Sequence, residues 1–294
     1  TQIRTHIDER PGPELSRSRR FVLLLEGEID NSGDLMSEVE ASASNPVHPL
    51  VETETLKPAP SLEMPPANDA QRLLAAIETF GVGGALTKVQ GAFAFALWDR
   101  QDRLLYLARD RVGERPLYFG WQGQALLFGS ELKALEKHPD FEASIDRHAL
   151  TDLIRHGFIP GASTLYSGIQ KLSPGHYIAI GLHRPTPDAV NYWSMADIAQ
   201  RGQMRPYDGD ENAITSEIDR RLRESTGLLL AKPGTSGIFL TGHPDAFWIS
   251  ALAQTQSTSP IQTFSLRFGD ELDSPESFTD QFVRTLGTQH VELH

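Results

Sequence analysis

The fold is decided by residues 91–121, which read GAFAFALWDRQDRLLYLARDRVGERPLYFGW. In Phe93–Trp98 the residues on both alternating faces are apolar, which predicts a strand that is covered on both sides. A polar turn separates this strand from Leu104–Ala108, so the two segments are predicted to form a hairpin. A second strand pair is predicted at Pro116–Trp121 and Ala125–Gly129. The centre of the chain is therefore predicted to be antiparallel sheet.

Shorter elements surround this stretch. Periodicity predicts helices at Gly33–Ser42, Asp69–Phe80, Leu132–Lys137 and Arg147–His156, the last of them capped by Asp146. Strands are predicted at Phe21–Leu25, before a turn-rich segment at Glu26–Asn31, and at Lys171–Ile180. Residues 44–68 carry six prolines and are predicted to be an irregular insertion. The corner at Arg109–Arg111 is predicted to be held by an Arg–Asp pair.

The character of the chain changes across Arg184–Asp210, which is rich in proline, aspartate and glutamine. Beyond it we predict, in order, a helix, a strand, a loop, a helix and a strand, at Glu211–Leu230, Gly237–Leu240, Thr241–Pro244, Asp245–Gln254 and Ile261–Phe268. A β-loop-α-β succession is typical of a parallel α/β sheet. The second part of the chain is therefore predicted to differ in architecture from the first.

Composition limits the classes of function. The 294 residues carry a formal net charge of -12 and no cysteine. The negative charge disfavours non-specific nucleic-acid binding, because phosphates would be repelled. The aliphatic runs are too short to span a bilayer and the first residues do not form a signal peptide, so a cytoplasmic location without membrane insertion is expected.

Three stretches resemble one known family. Residues 91–121, followed by FGSELKALEKHPDFEASIDRHALTDLIRHGFIPGASTLYSGIQKLSPGHY at 128–177, resemble the glutamine amidotransferase domain of the glutamine-hydrolysing asparagine synthetases. Thr241–Ala246, reading TGHPDA, resembles the family's pyrophosphate loop, Ser-Gly-Gly-x-Asp-Ser, and Leu286–His290 resembles its LGTxH segment. The resemblance implies an α+β N-terminal nucleophile-type sandwich (αββα, antiparallel sheets), then a partial α/β parallel-sheet domain. The implied domains are residues 1–190 and 211–294, with a linker at 191–210.

The resemblance also implies a glutamine site. Its residues would be Glu26, Gly27, Glu28 and Asp69, of which Asp69 would bind the glutamine amino group. Glu26 stands where the family has an asparagine that helps to form the oxyanion hole. The arginine for the glutamine carboxylate would fall at Ile3 or Arg4. The family's nucleophile is an N-terminal cysteine, so no catalytic residue is assigned here, and Thr1 is not expected to replace it.

The second implied site binds ATP and Mg²⁺. By resemblance, ATP would contact Leu240, Thr241, Gly242, Asp245 and Leu266, and Asp245 would also hold the metal. His243, Pro244 and Ala246 depart from the family's loop, and two of these departures remove hydrogen-bond donors. An Asp-Glu pair of the family is replaced by Ser274 and Pro275.

The implied function is ATP-dependent amide transfer from glutamine to aspartate, in a chain that is fragmentary or impaired. The implied partners are glutamine, aspartate and ATP, with a homodimer as a possible assembly. One alternative is an amide or lactam ligase of the same superfamily without glutaminase activity. The other is a catalytically inactive relative with a binding or regulatory role, which the alteration of both sites favours.

Overall fold

The structure is a computed structural model that describes residues 12–44, 68–181, 188–231, 237–266 and 278–293. The chain divides into two units between Gln200 and Arg201. The elements up to this division, in chain order, are β1 (Glu14–Leu15), β2 (Phe21–Ile29), α1 (Ser32–Ser44), α2 (Asp69–Lys88), β3 (Gly91–Asp99), β4 (Leu104–Arg109), β5 (Tyr118–Gln122), β6 (Ala125–Gly129), α3 (Leu132–Leu135), α4 (Arg147–His156), β7 (Ile169–Lys171), β8 (His176–Gly181), β9 (Val190–Asn191) and α5 (Met195–Met204). Helix α5 crosses the division. The remaining elements are α6 (Glu211–Leu230), β10 (Gly237–Phe239), α7 (Pro244–Gln256), β11 (Gln262–Leu266), α8 (Phe278–Leu286) and β12 (Gln289–Leu293).

Two antiparallel sheets form the centre of the first unit. The larger has the strand order β1-β2-β3-β4-β8-β9, and the smaller has the order β6-β5-β7. The predicted hairpin is formed by β3 and β4, with Phe95 opposite Ala108. The second predicted pair is formed by β5 and β6.

Strand β3 explains how the layers stack. On one of its faces Phe93, Phe95 and Leu97 are buried against apolar residues of α1 and α2. On the other face Ala94 and Ala96 pack in a second cluster with side chains of the small sheet. The far side of the small sheet packs against α3 through Leu127 and Leu135. The layers are therefore helix, sheet, sheet and helix, which confirms the predicted αββα sandwich.

Strand β2 is longer than predicted. The segment from Glu26 was expected to turn, but the strand continues to Ile29 and pairs along its whole length with β3. The sequence suggested a turn because charged residues flank a glycine. The inward positions Leu25, Gly27 and Ile29 nevertheless keep the period of two, and the glutamates point to the other side of the strand.

Two other predicted boundaries were wrong. Helix α2 does not end at Phe80: Gly81 leaves the helical conformation with φ of 71°, and the helix then resumes as far as Lys88. The predicted strand Lys171–Ile180 is two strands, β7 in the small sheet and β8 in the large one, because the chain passes between the sheets at residues 172–175.

The corner after β4 is built through the backbone. Arg109 donates to the carbonyl oxygens of Gly113, Arg115 and Leu172 at 2.7 to 2.8 Å. Buried Asp110 accepts from four successive backbone N–H groups of residues 112–115. Within the described part of the chain Asp110 forms no ion pair with Arg109 or with Arg111. The predicted Arg–Asp pair is therefore wrong, although both residues do shape the corner.

The second unit contains a three-stranded parallel sheet with the order β10-β11-β12. Helix α6 begins after Asp210, whose side chain accepts from the N–H of Ala213. Helix α7 packs against α8 through Phe247, whose ring contacts Phe278 and Phe282 with centroids 4.9 and 4.7 Å away. The parallel arrangement predicted for this part of the chain is confirmed.

The stretch 191–210, predicted to be a linker, contains the end of β9 and the whole of α5. Among the helices that the structure describes, none has the length and apolarity needed to cross a membrane.

Candidate functional sites

The first candidate site lies at the carboxyl end of β2, where Glu26, Gly27 and Glu28 are consecutive. Gly27 has φ of 102°, and a Cβ atom placed there would lie 2.0 Å from the carbonyl oxygen of Ala92 on β3. Only glycine allows the two strands to approach this closely. Gly27 therefore brings the two flanking glutamates into register beside β3.

Asp69 is brought to the same place. It is the first residue of α2, and its Oδ2 atom accepts from the backbone N–H of Ile29 at 2.9 Å. Its Oδ1 atom is 3.3 Å from Nη1 of Arg72, which also donates to Ser32 Oγ at 2.8 Å. Oδ2 thus anchors the helix to β2, while Oδ1 pairs with Arg72 within the helix, so any ligand amino group would have to share this carboxylate.

Glu26 has a partner from the other sheet. Ser130, directly after β6, forms a hydrogen bond with the Glu26 carboxylate through its hydroxyl group. The structure therefore gathers all four residues predicted for the glutamine site around the end of β2. Thr1, Ile3 and Arg4 lie outside the described residues. The set is acidic, which is unfavourable for a developing oxyanion.

The second candidate site is the turn that joins β10 to α7. Gly242 has φ of 81°, a conformation that favours glycine, although a Cβ atom added there would meet no other atom within 4 Å. His243 precedes the helix without a side-chain capping bond, and Pro244 occupies the first turn. Thr241, Gly242 and Asp245 are exposed. Because the helix begins with proline, it offers one N–H fewer than a phosphate-binding helix start usually does.

Leu240 and Leu266 lie at neighbouring strand ends. The backbone N–H of Leu240 donates to the carbonyl of Phe264 at 2.7 Å, and Leu266 is the last residue of β11. In open sheets of this kind, ligands bind in the crevice beyond the carboxyl ends of the strands. The two leucines and the loop therefore share the edge at which a nucleotide would be expected.

Asp245 can hold Mg²⁺ only together with other ligands. Its Oδ1 atom lies 3.0 Å from the N–H of Ala246, which leaves Oδ2 for a cation. No group of three metal-ligating His, Cys, Asp or Glu side chains occurs among the residues that the structure describes. Since Mg²⁺ is commonly held by one or two carboxylates and substrate phosphates, this single acid fits an ion that arrives with a nucleotide.

Comparison with known proteins agrees with both units. The family model described as a glutamine amidotransferase domain matches residues 7–193, more than half of the chain. The model described as asparagine synthase matches residues 217–294. The chain belongs to the glutamine-hydrolysing asparagine synthetase family.

Members of this family in Bacillus subtilis show the extent of the similarity. Asparagine synthetase 3 is 28% identical over 186 residues, which are 61% of this chain and 29% of that protein. Asparagine synthetase 1 is 26% identical over 286 residues, 96% of this chain and 40% of the relative. The chain thus spans well under half the length of the relatives it matches.

A solved structure, glutamine phosphoribosylpyrophosphate amidotransferase from Bacillus subtilis, superposes on 63% of this chain and 32% of its own, with a TM-score of 0.38 and 17% identity. A superposition this loose has no bearing on the fold, which follows from the two sheets themselves.

Three residues that contact the candidate sites or their sheet were not predicted as site residues. Ser130 and Arg72 bind two of the predicted acids through hydrogen bonds. His290 bridges β12 and β11 on the sheet that carries the second site. Two of them had a signal in the sequence: His290 is the last residue of the LGTxH-like segment, and Ser130 lies in the stretch 128–177 that resembles the family.

Proposed function

We propose that this chain serves ATP-dependent amide formation of the asparagine synthetase type. The observation that carries the proposal is the order of the two units. An αββα sandwich, in which Asp69 at the start of α2 lies beside the end of β2, comes first. A parallel β-loop-α-β unit with Asp245 at the start of its helix follows. The proposed substrates are ATP with Mg²⁺, an aspartate-like carboxylate and a nitrogen donor. The assignment of residues 1–190, 191–210 and 211–294 to amidotransferase domain, linker and synthetase domain belongs to this proposal.

In the second unit, the loop would receive the phosphates. The N–H groups of Gly242 and Asp245 have no backbone or side-chain acceptor among the described residues, and the dipole of α7 favours negative charge at this end. Asp245 would hold Mg²⁺, which supplies positive charge to the phosphate oxygens. The backbone at Leu240 and Leu266 would frame the base. ATP would convert the substrate carboxylate to an acyl-adenylate with release of pyrophosphate, and an amine would then displace AMP.

In the first unit, Glu26 opposes glutamine hydrolysis. Acyl transfer from glutamine develops negative charge on the amide oxygen, which an oxyanion hole must stabilise with donors. A carboxylate at the position of the family's asparagine places a like charge there instead. We therefore propose that nitrogen enters as ammonia and that the glutamine site of this chain binds its ligand without hydrolysing it.

Calorimetric titration of the 294-residue chain with ATP and Mg²⁺ tests the nucleotide site. We expect saturable binding, and we expect Asp245→Asn to weaken it about tenfold, or ~1.4 kcal/mol. Without Mg²⁺ the two proteins should differ much less, because the carboxylate acts through the ion. Asp208→Asn, an exposed carboxylate outside the loop, is the matched control.

If the chain bound no ATP at millimolar concentration, the proposed nucleotide site would be wrong. The second candidate function is that of an inactive relative with a binding role, which the combination of Glu26 and Pro244 favours. We also propose a cytoplasmic location and the pairing of two copies of the chain. Light scattering tests the pairing.

A further inference from the structure

The segment Leu286–His290 joins helix α8 to strand β12 in a tight turn. Helix α8 ends at Leu286, and Gly287 follows with φ of 72°, its N–H donating to the carbonyl of Val283 at 2.9 Å. This is the left-handed residue that commonly ends a helix. The chain then turns straight into β12, and the N–H of Gln289 donates to the carbonyl of Ile261 at 2.9 Å.

Side chains of this segment reach across to β11. The hydroxyl groups of Thr288 and Thr263 lie 2.9 Å apart, and Nδ1 of His290 lies 3.0 Å from Thr263 Oγ1. Nε2 of His290 lies 3.0 Å from Ser265 Oγ. Thr263 is fully buried. Since hydroxyls can both donate and accept, both imidazole nitrogens have a partner in either tautomer.

The contact with Ser265 matters because of where β10 ends. Among the described residues, strand β10 pairs with β11 at Gln262–Phe264. For Ser265 and Leu266 the paired strand in the described sheet is β12, where they lie opposite Glu292 and Leu293. The position of Leu266 at the carboxyl edge therefore depends on how firmly β12 is held against β11.

We propose that His290 is a positioning residue of the nucleotide site, with Thr288 and Gly287 as its support. Through Ser265 it fixes the end of β11, and so the backbone of Leu266, against which the base of ATP would lie. This inference rests on the proposed ATP-binding function. It assigns to the segment a role in holding the site, without direct contact with the nucleotide.

Two conservative variants distinguish the contact of Nδ1 with Thr263 from the contact of Nε2 with Ser265. An asparagine amide can reach roughly where Nδ1 lies, and a glutamine amide roughly where Nε2 lies. We expect His290→Ala to weaken ATP–Mg²⁺ binding by about fivefold to tenfold, the effect of losing one or two hydrogen bonds. His290→Gln should restore most of the affinity, whereas His290→Asn, which retains only the Thr263 contact, should not. Gln289→Ala, on the neighbouring exposed position of β12, is the matched control.

Amide hydrogen exchange gives a readout that does not depend on ATP. In His290→Ala the amides of Ser265 and Leu266 should exchange faster, while those of α6 keep their wild-type rates. Equal affinity in His290→Ala and wild type, or equal recovery by Gln and Asn, would overturn the role at the nucleotide site. A wild type without ATP binding would overturn the proposed function and that role together. Unchanged or uniformly faster exchange would show that His290 does not fix the end of β11.

Discussion

Replacement of Asp110 by asparagine should destabilise the first unit severely. One carboxylate oxygen accepts from the N–H groups of Val112, Gly113 and Glu114 at 3.1, 2.6 and 3.0 Å, and the other accepts from Arg115 at 2.9 Å. An asparagine keeps one acceptor oxygen and turns an NH₂ group toward the remaining N–H. One charge-assisted hydrogen bond is worth about 1.5 to 3 kcal/mol, and a buried unsatisfied donor costs about 1 kcal/mol or more. The expected loss in the free energy of unfolding is therefore about 3 kcal/mol.

Thermal unfolding followed by circular dichroism measures this loss. For a unit of this size, 1 kcal/mol corresponds to about 2 to 4 °C, so the transition of the first unit should fall by about 6 to 12 °C. Asp140→Asn makes the same chemical change at an exposed position and should shift the transition by less than about 1 °C. If both variants behaved alike, the N–H groups of the corner would have other acceptors and the reasoning would be refuted.

Other predictions concern pH, packing and ligand binding. Burial raises the pKa of Asp99, but hydrogen bonds from Arg20 and from two backbone N–H groups outweigh this and hold it below its ordinary value. Its contribution to stability is thus complete above the unfolded pKa of about 3.9 and is lost as pH falls through the lower folded pKa. Urea unfolding between about pH 5 and pH 3 should show a shallower loss in Asp99→Asn than in wild type, and equal slopes would contradict this. Phe247→Ala removes two ring contacts of a buried side chain and should destabilise the second unit by about 3 to 4 kcal/mol in urea unfolding. Trp248→Ala, at an exposed position, is the control and should cost far less. Glu26→Asn should tighten glutamine binding in calorimetry, because a carboxylate cannot donate to the amide oxygen of glutamine whereas an asparagine amide can; unchanged affinity would place that side chain outside the site.

The elements that are predictable from the sequence are those whose signal is local. Asp146 and Asp210 each precede a helix and accept backbone N–H groups of its first turn, as their position indicates. The strand Phe93–Trp98 is predictable as covered on both faces, because every residue in it is apolar. The glycine and acid of the pyrophosphate-like loop also stand where the resemblance places them.

The errors come from partners that are distant in the sequence. Gly27 has the neighbours of a turn residue, yet it serves a close approach to β3, more than sixty residues further along the chain. Residues 171–180 have the pattern of one strand because hydropathy does not reveal that the chain changes sheets. Asp110 was expected to pair with a neighbouring arginine, but Asp110 and Arg109 both bind backbone groups whose placement depends on the folded corner. The contacts of Ser130 and His290 likewise exist only after the sheets have formed.

The hydrogen bond between Glu26 and Ser130 has a consequence for any substitution at this site. It joins a strand of the large sheet to the residue that follows the small one, so the carboxylate acts as a cross-link as well as a charge. Asparagine is one methylene group shorter, so Glu26→Asn would release Ser130. That substitution would therefore change the charge of the proposed glutamine site and remove a contact between the two sheets at once. Replacing Ser130 by alanine removes the contact alone.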